Sequence, residues 1–439
     1  MMQDYEELLR RVLRIVGDER RAEIEEEVGR RMAEDPRLTR LGALYIVASD
    51  LGVFSETRQS PPVVPLGKLV GGLSSVNVEA RVIGLSPPRK GRAIYLRLGD
   101  STGKVFATAW GKAAEMLTEL GVKVGSAILV KNAYTREKSD GSVELHIGEQ
   151  AELEIGGHGP PALESFFSEM TAMIGSGGVL DFKAYILGYS NLRTARVKGE
   201  ESAVREILLG WDGVLVEMDL WRELAESFSP LIVGAKGLVA GARWSSDKIT
   251  SSARTSIHIP GDGERLSFPL LYVSRQLSPE DSLASCGSWV FRVPSKNLKI
   301  GRSYRVEAFH FEKRGRAWIM VPDEYSEAEG AVSGPTPRRI VDLAPGMTEV
   351  YLEGEVASKS PRTSVETRRG EVGLLSFWLR DETGAIFCKA WGRAALEADR
   401  IAEGDRVAIA FAQVTKNPWG ERELSLSESS YILSLVETP

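Results

Sequence analysis

Asp100-Ser-Thr-Gly-Lys-Val-Phe-Ala-Thr-Ala-Trp-Gly-Lys-Ala-Ala114 returns 281 residues later as Asp381-Glu-Thr-Gly-Ala-Ile-Phe-Cys-Lys-Ala-Trp-Gly-Arg-Ala-Ala395. Nine of the fifteen positions are identical: the Asp, the Thr-Gly, the Phe, the Ala-Trp-Gly and the Ala-Ala. Solenoid units recur every 20 to 50 residues or so, and this spacing is far longer, so a whole domain has been copied within the chain. Each copy reads as strand, tight turn, strand ending in Trp-Gly, then helix. That order is the middle of a small five-stranded barrel.

Alternation along a strand sorts residues onto two faces. Val105, Ala107 and Ala109 fall on one face, as do Ile94, Leu96 and Leu98 of the preceding strand. Small apolar residues suit a tapered barrel interior, so Tyr95, Arg97, Lys104, Phe106, Thr108 and Trp110 face outward. In the second copy Leu375, Phe377, Leu379, Ile386, Cys388 and Ala390 turn in, leaving Trp378, Arg380, Phe387, Lys389 and Trp391 outside. Both outer faces interleave aromatics with cations. Unpaired bases stack on such rings for about 1–3 kcal/mol each, and the cations neutralise phosphates. Trp110 and Trp391 have a packing alternative, as wedges between barrel and helix.

The loops that flank the groove in barrels of this type are basic in both copies. Arg89, Lys90 and Arg92 lie in one first loop, and Lys359, Arg362, Arg368 and Arg369 in the other. The loops between the fourth and fifth strands offer Tyr134, Arg136 and Lys138, and Lys416 and Trp419.

The rest of the chain fits around these copies. Its 439 residues allow about three domains on length alone. Residues 1–53 show helical spacing (Leu8, Leu9, Val12, Leu13, then Ile24 and Val28), followed by a Pro-containing linker over 54–65. The first barrel spans 66–156 and the last 338–439, after a linker at 328–337. Residues 162–262 follow the same order more weakly, with a final strand at Thr255 to Ile259. Residues 263–327 are either a shortened fourth barrel or an elaboration of the third. In the middle barrel Glu217 and Asp219 share the outer face with Trp221, and two carboxylates repel a polyanion. The middle barrel is therefore expected to add little nucleic-acid affinity.

Composition excludes several classes. Cys286 and Cys388 are the two cysteines, too few for a four-cysteine zinc site or a disulfide framework. No metal or other cofactor is expected. No run of 18 apolar residues occurs, so no membrane span is expected. A reducing cytoplasm, with association to the nucleoid, fits. A net charge of −6 is compatible with a local basic groove on an acidic body. No nucleophile–base pair or carboxylate constellation stands at workable spacing, so no catalysis is expected.

The first and last barrels resemble the DNA-binding domains of replication protein A, above all its archaeal forms. The carrying motifs are Ala107-Thr-Ala-Trp-Gly111 and Lys389-Ala-Trp-Gly392, together with the helical start ending Leu41-Gly-Ala-Leu-Tyr-Ile-Val-Ala-Ser-Asp-Leu-Gly-Val53. The resemblance implies a mainly β chain of three or four tandem OB-fold barrels behind a small helical module. It implies base stacking by Trp110 and Trp391, with Trp419, and more loosely Tyr134, as second aromatics. The zinc-binding cysteine cluster of many relatives is absent. The implied ligand is single-stranded DNA, with RNA as the alternative. Replication or repair proteins are the implied partners, through the helical module or the middle barrels.

Overall fold

The computed structural model describes residues 5–34, 38–51, 53, 62–86, 93–157, 159–197, 199–245, 247–261, 263–296, 298–330, 334–367 and 370–435. Three helices, Tyr5–Val16, Arg21–Glu34 and Arg40–Asp50, open the chain. They close on a core of Leu9, Val12, Ile24, Val28, Leu44 and Val47. Thr39 caps the third helix by accepting the Gly42 amide at 3.1 Å.

The first barrel contains Val76–Leu85, Ala93–Gly99, Lys104–Trp110, Ala127–Glu137 and Val143–Ile147, with the helix Lys112–Glu119 between its third and fourth strands. Strand order is 1-2-3-5-4, closed by pairing of strands 1 and 4. Strands 3 and 5 run parallel and the other ladders antiparallel. This closed order is that of the OB fold. The last barrel repeats it with Val350–Lys359, Gly370–Asp381, Gly384–Trp391, Arg406–Lys416 and Arg422–Leu426, and the helix Arg393–Asp399.

The duplicated Asp-x-Thr-Gly has a shared structural task. Asp100 Oδ1 accepts from the Thr102 amide, the Thr102 hydroxyl and the Gly103 amide, which shapes the turn between strands 2 and 3. Its Oδ2 accepts the Leu66 amide at 2.7 Å and so ties down the chain entering the barrel. Asp381 makes the same bonds to Thr383, Gly384 and the Ile340 amide. These bonds hold both carboxyls below the usual aspartate range against the opposing effect of burial.

The middle barrel uses Val179–Tyr189, Glu200–Trp211, Val214–Trp221, Lys236–Ser245 and Lys248–Thr250 in the same closed order. Its fifth strand is Lys248–Thr250, parallel to the third, and not the segment near Thr255. Ser256–His258 pairs on the other side of strand 4. Three residues suffice because strand 3 needs only Ile249 and Thr250 as neighbours there.

Residues 268–328 form five strands, Phe268–Gln276, Asp281–Cys286, Trp289–Pro294, Ser303–Arg314 and Ala317–Ala328. Pairings 1–2, 2–3, 1–4 and 4–5 follow the barrel order, and a short connection replaces the helix. This unit shares its core with its neighbour: Leu187, Leu208 and Leu215 of the middle barrel pack with Phe268, Phe291, Phe311 and Trp318.

The four units dock in series, and each docking covers part of the outer surface of the preceding unit. On the first barrel, Ile83 joins Phe166, Phe167, Leu238 and Ala240. On the middle barrel, Leu208 and Leu215 are taken into the third unit. On the third unit, Leu283 and Val290 pack against Tyr351, Ala408, Ala410, Phe411 and Tyr431 of the last barrel.

Candidate nucleic-acid interface

The last barrel has no successor among the described residues, and its outer face is open. Alternation is as expected: Ile386, Cys388 and Ala390 are buried, while Phe387, Lys389 and Trp391 are half-buried. Trp378 is 44% exposed, and its ring lies 5.4 Å from that of Phe387, tilted by 57°. The two residues are directly opposite in the ladder. Lys389 pairs with Glu423 at 2.7 Å and sits 5.8 Å from the Phe387 centroid. Trp419 is 83% exposed at the tip of the loop after strand 4. Asn417 Oδ1 builds that tip by accepting the amides of Trp419 and Glu421. Lys416, in the same loop, is exposed, and so is Arg362, which lies 3.9 Å from Asp399.

Lys359 is not part of this face. Its amine donates to the carbonyls of Asp399 (3.0 Å) and Ile401 (2.6 Å), where a cation offsets the negative end of the preceding helix. Arg368 and Arg369, like Arg89, Lys90 and Arg92, lie outside the described residues.

The first barrel presents one end of the corresponding face. Trp110 is 43% exposed and donates its indole N–H to His146 Nδ1 at 3.2 Å, with the two ring planes 1° apart. Tyr134 stacks on His146 at 5.1 Å, and Arg136 lies 5.4 Å over Tyr134. Burial above all, with Arg136, Arg254 and Lys138 opposing Glu144, holds His146 below its ordinary pKa. The neutral ring is the form that can accept the indole proton. Read on its own, a lone histidine carried no signal; its place opposite Thr108 in the parallel ladder and beside Tyr134 would have supplied one.

The other end is covered. Arg97 and Phe106 do point out of their barrel, but the middle barrel lies over them and both are buried. Asp181 of the middle barrel pairs with Arg97 at 3.0 Å and Lys104 at 2.9 Å. Burial disfavours the Asp181 carboxylate, yet Arg97 and Lys104 outweigh it and hold its pKa low. Arg254, also from the middle barrel, lies 5.2 Å over Tyr95 and 5.4 Å over Phe106. It pairs with Glu144 at 2.7 Å, and Lys138 does so at 2.8 Å. Despite burial, Arg254, Lys138 and Thr108 bring Glu144 down to about 2. The expectation that Arg97, Phe106 and Lys138 stand free for a ligand is corrected: inter-barrel docking uses Arg97 and Phe106, and Lys138 is paired with Glu144 of its own barrel.

In the middle barrel, Trp221 Nε1 donates to Thr250 Oγ1 at 3.0 Å. Thr250 occupies the strand-5 position that His146 fills in the first barrel. The residue after the tryptophan is left-handed in all three copies: Gly111 at φ 51°, Arg222 at 56° and Gly392 at 56°. Only the middle copy places a side chain there, at a cost of about 1 kcal/mol or more.

No protein-family model matches the sequence. The geometry defines a tandem OB-fold chain with aromatic residues at the ends of its third strands. The chain is similar to replication factor A from Methanothermobacter thermautotrophicus, with 35% identity over 372 residues that span 83% of this chain. The chain spans 40% of the length of that relative. Among solved structures, a replication protein A heterotrimer bound to ssDNA overlaps 85% of this chain and 96% of its own, at 12% identity and a TM-score of 0.36. A replication factor A related protein from Methanobacterium thermoautotrophicum overlaps 24% and 94%, at 24% identity and a TM-score of 0.22. The fold assignment rests on this chain's own strand order.

Proposed function

We propose that this chain binds single-stranded DNA in the manner of replication protein A, by stacking bases and neutralising phosphates. The observation that carries the reading is the open face of the last barrel, where Trp378, Phe387, Trp391 and Trp419 stand beside Lys389 and Lys416. Aromatics with cations at hand are the sequence-tolerant means of holding unpaired bases. The Trp110–His146–Tyr134 platform with Arg136 supplies a second contact. Two sites on one chain raise the effective concentration of strand at each other. Coating of single strands during replication, repair and recombination is the role this chemistry serves, and the helical module is a surface for protein partners. Among the described residues no helix is long and apolar enough to cross a membrane.

The test is a titration of fluorescent single-stranded DNA of graded length, with duplex and RNA competitors. Tight, length-dependent binding that duplex DNA does not displace is the expected result. If about six phosphates are neutralised, log affinity falls with log salt at a slope near −4. Failure to bind a 30-mer (or of duplex to compete less well than single strand) would remove the proposal. Equal competition by matched RNA would extend the ligand to both nucleic acids.

A further inference from the structure

Trp110 of the first barrel is held by its edge. Its indole N–H meets His146 Nδ1 at 3.2 Å, with the ring centroids 6.4 Å apart and the planes differing by 1°. Parallel rings at that separation, joined through an N–H···N bond that lies in their planes, sit side by side as one flat surface. Tyr134 lies against the imidazole at 5.1 Å and 16°, which fixes the plane of the pair. His146 is buried and Trp110 is not, so the histidine is the support and the indole is the part offered to solvent.

The first copy alone puts a titratable group at this place. In the middle barrel Trp221 donates to Thr250, and in the last barrel Ser425 fills the same strand-5 position. A hydroxyl can accept at any ordinary pH, whereas an imidazole nitrogen accepts only when it carries no proton. A proton on Nδ1 would set N–H against N–H. The surroundings favour the neutral ring. Glu144, two residues earlier on the same face, already accepts from Thr108 at 2.6 Å and pairs with Lys138 at 2.8 Å and Arg254 at 2.7 Å. Arg136 from strand 4, Lys138 just beyond it and Arg254 from the middle barrel repel an imidazolium. Burial above all, and then these three cations against the pull of Glu144, keep the His146 pKa below its ordinary value.

We infer that His146 is a positioning residue for the Trp110 ring, and that a proton taken up at Nδ1 releases the indole and loosens the first barrel's hold on a single strand. The inference rests on the reading of the chain as a single-strand binder, and its test separates the two. Its sign is definite. The site is fully formed above the unperturbed histidine value near 6.5 and weakens as pH falls through the lower folded value. Attraction between an imidazolium and a phosphate would act in the opposite direction, strengthening binding on acidification.

The full chain is titrated with a 30-mer of deoxythymidine, whose base does not ionise in the range used, at pH 7.5 and pH 5, with circular dichroism as the fold control. At pH 7.5 His146→Leu should weaken binding about threefold to tenfold, the worth of one hydrogen bond. His146→Thr, which supplies the acceptor that Trp221 uses, should recover most of that loss. The ratio of parental affinity to that of His146→Thr should fall about threefold between pH 7.5 and pH 5, since effects of the other histidines cancel in it. A ratio that stays flat or rises overturns the inference, as does parental affinity in His146→Leu. Trp391→Ala, in the last barrel, and Trp110→Ala test the underlying reading. If either weakens binding while the His146 variants fail these expectations, the positioning role falls and the single-strand reading stands. If neither tryptophan substitution weakens binding, both fall.

Discussion

Gly84 of the first barrel stands so close to Ala240 of the middle barrel that a Cβ on it would lie 2.8 Å from the Ala240 Cβ. Ser256 Oγ would be equally near. The two barrels meet there backbone to side chain, and no residue larger than glycine fits without displacement. Gly84→Val should therefore destabilise the chain by about 1–3 kcal/mol through overpacking, seen as a lower Tm. An unchanged Tm would mean that the barrels are not docked in this way.

Asp181 anchors the same seam. Asp181→Ala would leave Arg97 buried without a partner, costing about 3–5 kcal/mol. The native carboxylate's pKa is depressed, so its contribution is present above the unfolded aspartate value near 4. It is lost as pH falls through the lower folded value. Calorimetry from pH 5 to 2 should show the parent losing stability in this window, and the variant losing less.

On the last barrel, Trp378→Ala and Trp419→Ala should each cost about 1–3 kcal/mol of single-strand binding if each holds one base. Anisotropy titrations at fixed salt, with circular dichroism as a fold control, give the answer. A combined loss below threefold in Kd would show that these rings do not stack on bases.

Asp100→Ala and Asp381→Ala remove the same set of bonds in two barrels. Hydrogen bonds to a charged group are worth about 1.5–3 kcal/mol each, and the exposed ones less. Each substitution should lower the Tm comparably. Because Asp100 lies away from the open face of the last barrel, Asp100→Ala should leave short-oligonucleotide binding there intact, provided that barrel stays folded at the assay temperature.

Glu349 lies fully buried where the middle, third and last units meet, and burial pushes its carboxyl up to about 7. Its Oε1 accepts the Trp318 amide, while Oε2 has no hydrogen-bond partner. A raised folded pKa favours the protonated form. Its stability contribution is thus complete below the unfolded value near 4.3 and is lost as pH rises through 7. The change is on the order of 3 kcal/mol. Glu349→Gln should flatten the pH dependence of Tm between 5 and 8 and raise Tm at pH 8; a parallel profile would show that Glu349 does not titrate there.

The repeat made both outer barrels readable, because Asp-x-Thr-Gly encodes a turn and alternation encodes two faces. Those signals are local. The covering of Arg97 and Phe106 was not readable, since Asp181 and Arg254 arrive from a different domain. His146 was missed for a related reason: its value comes from the parallel ladder that sets it beside Trp110. Lys359 looked like a loop cation, and only the fold shows the helix end that it meets. In the middle barrel the carboxylates were read correctly as outward, but Lys313, which neutralises Glu217, belongs to the next unit.

The serial docking gives the array a direction. Each of the first three units gives part of its outer face to the docking of the next, and among the described residues the last does not. A further barrel attached after the last one in the same manner would blind the exposed tryptophans, whereas one added ahead of the first would leave them untouched. Growth of such an assembly is thus free at one terminus and self-limiting at the other.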